Sequence, residues 1–276
     1  MLPPRRRSFA FLPGVFMNPE SAALGAILLY VLCAVTLVWR DIRRCEDGLG
    51  VWLLYLIDCV YMPFVFHLKT NRRCPYPDDR AALIVANHRS PVDPLFVWMN
   101  HHLGGTRFRT CAIRFIMARE YYEQPGLIGW ISRTVKAVPI ERDGRDMEGT
   151  RQALRQLRAG HLVAIFPEGR INKGEALLPA NPGVAFLALR AKVPVYPVYI
   201  EGAPPPGKSM VAPFCTFSRV RVYYGDPIDL SEYYHRKNTQ ELLDEVTSLL
   251  MGHVAELGGH ETPEMTRPLE GLRIAN

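Results

Sequence analysis

Between residues 21 and 39 the chain carries no charged side chain, and leucine, isoleucine, valine and alanine keep it apolar almost throughout. An apolar helix of about 20 residues is what a hydrocarbon core about 30 Å thick requires. The run is therefore read as one membrane anchor. Arg5, Arg6 and Arg7 precede it, as they would precede the apolar part of a signal peptide. No small-x-small cleavage pattern follows Trp39, however, and Arg40, Arg43 and Arg44 come instead, so the segment is expected to be retained. Positive charge on both flanks leaves its orientation unset by charge alone. A second apolar run, residues 49–66, holds Asp58 and Pro63, both costly in the middle of a spanning helix. With Trp52, Tyr55 and Tyr61 suited to headgroup level, it is expected to lie in the membrane interface.

The rest reads differently. Of 276 residues 48% are hydrophobic and 22% charged, which excludes both wholesale disorder and a protein of many spans. Lys plus Arg number 33 against 27 Asp plus Glu, a formal net charge of +6 that suits anionic partners such as phospholipid headgroups or phosphorylated substrates. A nucleic-acid role would need basic residues interleaved with aromatics on one face, and no such pattern occurs. The six cysteines, Cys33, Cys45, Cys59, Cys74, Cys111 and Cys215, show no C-x-x-C spacing. That argues against a zinc site or a disulfide framework and for a reducing compartment.

After a polar patch at residues 69–80, short β-rich runs alternate with helical stretches. Residues 82–86, 111–118, 136–140, 162–166, 195–200 and 220–224 read as strands, and 94–101, 124–133, 147–158 and 183–190 as helices, with a closing amphipathic helix at 239–257. This alternation predicts an α/β domain whose mixed, mostly parallel sheet is flanked by helices, attached to an N-terminal membrane-anchoring helical segment. The expected organisation is a membrane-anchoring segment at 1–68, the α/β domain at 69–258 and a loose tail at 259–276.

Four motifs stand at strand ends, where α/β folds commonly place their active sites. Strand 82–86 leads into Asn87-His88-Arg89-Ser90-Pro91-Val92-Asp93. Asp93, at the start of the next helix, can turn back to accept the Nδ1–H of His88 and leave Nε2 free as a base. Taken alone, an H-x4-D spacing reads first as a helix cap beside a half-buried loop histidine, because such pairs are common by chance. Phe166-Pro167-Glu168-Gly169-Arg170 follows strand 162–166. Arg170 has the planar fork that suits phosphate, Glu168 could hold that fork or accept from a substrate hydroxyl, and Gly169 allows a ligand close to the backbone. Arg142, after Val138-Pro139-Ile140-Glu141, would add a second guanidinium. Val195-Tyr196-Pro197-Val198 carries no reactive group and is expected to shape a pocket wall.

In this order and at these separations the four blocks resemble those of the glycerolipid acyltransferase family, which includes the 1-acylglycerol-3-phosphate acyltransferases. The resemblance covers roughly residues 80–230. It implies that His88 is the base and Asp93 its partner, that Arg142, Glu168, Gly169 and Arg170 bind the acceptor phosphate, and that Asn87, Ser90 and Pro197 support them. It implies acyl transfer from acyl-CoA or acyl-carrier protein, as co-substrate, to a lysophospholipid at a membrane surface facing the cytoplasm, with no metal or other cofactor. The default acceptor from the family is lysophosphatidic acid (1-acylglycerol-3-phosphate), giving phosphatidic acid, with glycerol-3-phosphate or another lysolipid as alternatives. One departure concerns that choice: the family often has a basic residue before the glycine that opens the next helix, where this chain has Ala180-Asn181-Pro182-Gly183. Two rivals remain, a hydrolase using Ser90 as nucleophile, which lacks a G-x-S-x-G elbow, and a non-catalytic lipid-binding protein.

Overall fold

The computed structural model describes residues 18–77, 79–99, 110–141, 147–207 and 209–260. The first apolar run forms α1, Pro19–Arg44, opened by Asn18, whose Oδ1 accepts from the N–H of Glu20 at 3.2 Å, and by Pro19 at the first helical position. None of its residues is buried. Its uncharged stretch, residues 21–39, is unburied, the helix is long and apolar enough to cross a bilayer, and all of it but Arg44 falls in a unit of its own that ends at Arg43.

The second unit begins at Arg44. It includes α2, Leu49–Phe66, so contacts divide the chain well before residue 68. The reason is a periodicity that average apolarity conceals. Val51, Asp58, Met62 and Phe66 recur at helical spacing and are buried, and the Phe66 ring meets Phe96 edge to face, 5.0 Å between centroids. Asp58 lies on this inner stripe.

Among the described residues seven strands form the sheet: β1 (Lys69–Thr70), β2 (Ala82–Ala86), β3 (Arg114–Ala118), β4 (Val138–Ile140), β5 (Leu162–Ile165), β6 (Val195–Glu201) and β7 (Arg221–Tyr224). Their order is β1-β7-β6-β2-β5-β3-β4. All neighbours pair in parallel except β6 and β7, so the sheet is mixed and mostly parallel, as the alternation predicts. The polar β1 has no apolar pattern to announce it. It exists because β7, far downstream in the chain, offers it a partner edge.

Period-two side chains divide the core. Ala82, Ile84 and Ala86 point with Tyr196, Val198 and Ile200 toward α2 and α3 (Asp93–Met99). Leu83, Val85, Val163 and Val195 point the other way, toward α6 (Met147–Arg158), α7 (Gly183–Ala191) and α8 (Gln240–Leu257). The helix expected at 124–133 begins only at Leu127 (α5, Leu127–Thr134), because Gly126 takes φ 97° just before it, and a short helix that was not expected, α4 (Arg119–Glu123), precedes it. Thr239 caps α8, its Oγ1 accepting from the N–H of Leu242 at 3.3 Å.

Candidate active site

The central strands β2, β5 and β6 run parallel, so the loops that follow them meet at one edge of the sheet. Asn87, fully buried just past β2, ties that edge together. Its Nδ2 donates to the carbonyl of Ile200 at 3.0 Å and its Oδ1 accepts the N–H of Ile200 at 2.7 Å. The amide thereby extends the β2–β6 ladder by side chain where the strand has ended, and presents His88 at the rim.

The His88 Nδ1 lies 2.9 Å from Asp93 Oδ2. Asp93 is wholly buried at the first turn of α3, and the same oxygen accepts the N–H groups of Arg89 at 2.6 Å and Ser90 at 2.7 Å. Three donors on one oxygen fix the carboxylate and, through it, the tautomer of the ring. Nε2 is then the acceptor nitrogen, and among the described residues nothing hydrogen-bonds to it. The imidazole is 18% exposed and stacks on Phe166, 4.3 Å between centroids and 17° from parallel, and Phe166 stacks in turn on Phe115 at 6.1 Å. One face of the imidazole is closed by aromatic carbon while its edge stays reachable. Ser90 is buried, with its Oγ accepting from the N–H of Val92 at 3.3 Å. That is a turn-forming role, out of reach of a substrate carbonyl.

Glu168 departs from expectation. It is 2% exposed and turned inward, with Oε1 accepting the N–H of His88 at 2.9 Å and Oε2 that of Leu178 at 3.0 Å. Both oxygens are committed to backbone, so it neither holds Arg170 nor faces a substrate hydroxyl. Burial raises its carboxyl above the usual range, although the two backbone donors pull the other way. Its effect is to lock the loop after β5 against the histidine. Gly169, at φ 65°, turns that loop, and Arg170 stands exposed beyond it. Arg142 lies outside the described residues. Pro197 sits within β6 opposite Val85, its carbonyl accepting from Gly225 N–H at 3.0 Å; Gly225 leaves room for the ring, since a Cβ there would come within 2.5 Å of it.

Two residues that carry the geometry escape a reading of the sequence. Asn172 is buried; its N–H donates to the His88 carbonyl at 2.7 Å, while its side chain closes a turn by accepting from Gly174 N–H at 2.9 Å and donating to Ala176 O at 2.7 Å. Arg89 donates to the carbonyls of Gly174 and Glu175 and approaches the Tyr199 hydroxyl at 3.4 Å. Both bind the β2 loop to the β5 loop. The only sequence signal for them is a polar residue in or beside each motif. Among the described residues no group of three or more His, Cys, Asp or Glu is placed to hold a metal ion.

With this geometry in place, the comparisons converge. Residues 65–201 match the family model described as Acyltransferase. The 1-acyl-sn-glycerol-3-phosphate acyltransferase of Bacillus subtilis is 24% identical over 69% of this chain and 87% of its own length. That of Limnanthes douglasii is 26% identical over 45% of this chain and 42% of its own length. Among solved structures, the 1-acyl-sn-glycerophosphate acyltransferase PlsC of Thermotoga maritima shares the fold, with a TM-score of 0.53, 23% identity, and coverage of 77% of this chain and 81% of that one. The fold and the matched segment define an acyltransferase. Residues 65–201 carry an acyltransferase domain, and the chain is similar to the 1-acylglycerol-3-phosphate acyltransferases.

Proposed function

We propose that the chain moves a fatty acyl group from a thioester donor, acyl-CoA or acyl-carrier protein, to the free hydroxyl of 1-acylglycerol-3-phosphate, giving phosphatidic acid. The observation that carries this reading is the His88–Asp93 pair, with Nδ1 held at 2.9 Å and Nε2 free at the rim. His88 Nε2 removes the hydroxyl proton as the oxygen attacks the thioester carbonyl, and buried Asp93 stabilises the imidazolium that forms. The C–O bond forms, the C–S bond breaks, and the proton passes from the imidazolium to the departing thiolate. A thioester has a good leaving group, so no acyl-enzyme is required. The burial of Ser90 agrees with this and disfavours a serine hydrolase. Exposed Arg170 supports recognition of the acceptor's phosphate, and Arg142 is proposed to assist it.

Donor and acceptor are amphiphiles, which gives α1 a purpose. Anchoring the unit confines the site to the surface where both are concentrated. A membrane protein whose catalytic unit faces the cytoplasm fits six cysteines that form no disulfide among the described residues and the thioester donors available there. The test is a thiol-release assay with acyl-CoA and a panel of lysophosphatidic acid, glycerol-3-phosphate and other lysolipids. Lysophosphatidic acid should give the highest kcat/KM. Preference for another acceptor would replace the substrate while keeping the mechanism, and silence across the panel would favour a non-catalytic lipid-binding protein.

A further inference from the structure

The outward side of α2 is a stripe opposite the buried one. Leu49, Leu53, Leu56, Ile57, Val60 and Phe64 recur at helical spacing and are all exposed, Val60 and Phe64 each at 70%. The stripe does not stop with the helix. The connection between β6 and β7 is bonded along its last turns: Tyr61 Oη donates to the Phe214 carbonyl, Ser218 N–H to Val65 O at 3.2 Å, and Val220 N–H to Phe66 O at 2.9 Å. This brings Phe217, 65% exposed, edge to face with Phe64 at 6.2 Å, and the same connection carries exposed Val211. Two segments distant in the chain thus present one continuous apolar surface, larger than the scattered apolar residues a soluble surface ordinarily tolerates. Exposed Lys69 and Arg219 border it, Lys69 N–H donating to the carbonyl of Val220, the residue after Arg219, at 3.0 Å.

We infer that the β6–β7 connection is a second membrane-contacting element, inserting Phe217 and Val211 into the lipid interface beside α2 while Lys69 and Arg219 meet anionic headgroups. The charge pattern chooses the occupant. A bilayer rich in anionic lipid complements a cation-bordered apolar patch, whereas a second copy of the same patch would bring like charges together. The inference rests on the membrane-surface reading above but not on acyl transfer.

Its test uses the full chain in vesicles of phosphatidylcholine and phosphatidylglycerol whose acyl chains are brominated. Phe217→Trp should add tryptophan fluorescence quenched by the brominated chains beyond that of the native protein. Tyr233→Trp, on the side covered by α6–α8, should add fluorescence that is not quenched. If the fluorescence added by Phe217→Trp escapes quenching, the inference is overturned, and if that fluorescence is shielded in step with self-association, the patch belongs to a second copy instead. In a second arm, Phe217→Asp should raise the apparent KM for a long-chain acceptor presented in vesicles several-fold, and leave turnover of a short-chain acceptor dissolved as monomer unchanged. Equal losses on both would reduce Phe217 to a structural role. If no acceptor turns over at all, the acyl-transfer reading fails while the quenching result still stands.

Discussion

Two of the carboxylates buried in this molecule are used in opposite ways. Asp47, just before α2, meets two cations: Arg114 at 2.5 Å, itself 1% exposed, and Lys136 at 3.0 Å, and it also accepts the Ala112 N–H at 2.7 Å. Burial alone would raise its pKa, but these partners outweigh burial and hold it at about 2. Asp93, at the other end of the strands, meets no cation. Its partners are two backbone N–H groups and one imidazole, and its Oδ1 has no hydrogen-bond partner. The first arrangement is electrically closed and fastens β3 to the chain before α2. The second holds an imidazole by hydrogen bonds and, under the proposed mechanism, stabilises its imidazolium form. A buried charge closed by cations serves the fold, and a carboxylate closed only by backbone N–H groups and an imidazole suits a site of chemistry.

Breaking each carboxylate should therefore give different phenotypes. Asp93→Ala should lower kcat by about 10²–10⁴ with the protein still folded, measured by thiol release and by thermal melting on the same preparation. Asp47→Ala leaves Arg114 buried and uncompensated, and should cost about 3–5 kcal/mol in denaturant unfolding while activity per folded molecule is retained. Should Asp47→Ala abolish activity in folded protein, or Asp93→Ala merely soften the fold, the contrast collapses. Glu168→Gln sets a side-chain N–H₂ against a backbone N–H and should cost about 1–3 kcal/mol, with kcat falling as the His88 loop loosens. Arg170→Ala should raise KM for a phosphorylated acceptor about tenfold, in keeping with one exposed charge-assisted contact, and change kcat little.

A further effect, confined to low pH, is in the acid stability profile. The folded pKa of Asp47, about 2, lies below its ordinary 3.8, so the folded state binds fewer protons between those values. Its stabilising contribution is complete above about pH 4 and is lost as pH falls through about 2. Unfolding free energy measured across that window should lose this part of its slope in Asp47→Asn.

Much of this contrast can be read in the sequence, and part cannot. Strand 82–86 is plain because five apolar residues run straight into Asn87 and His88, and the five-residue step to Asp93 spans one turn into a helix start. The direction of Glu168 is hidden. A carboxylate between a strand and a loop reads the same whether it faces solvent or backbone, and only the fold-back of residues 169–178 supplies the Leu178 N–H that turns it inward. Asp47 and Arg114 look like ordinary charges because 67 residues separate them. The inner stripe of α2 is masked by a helix apolar on both sides, so a segment packed against the body resembles one lying wholly in lipid.

Whether His88 acts as the base is decided by thiol release from His88→Ala, purified in detergent and shown to be folded by its melting transition. A loss of at least about a hundredfold in kcat/KM with the transition unchanged is expected. A folded His88→Ala protein that retained more than about a tenth of the native activity would contradict that role.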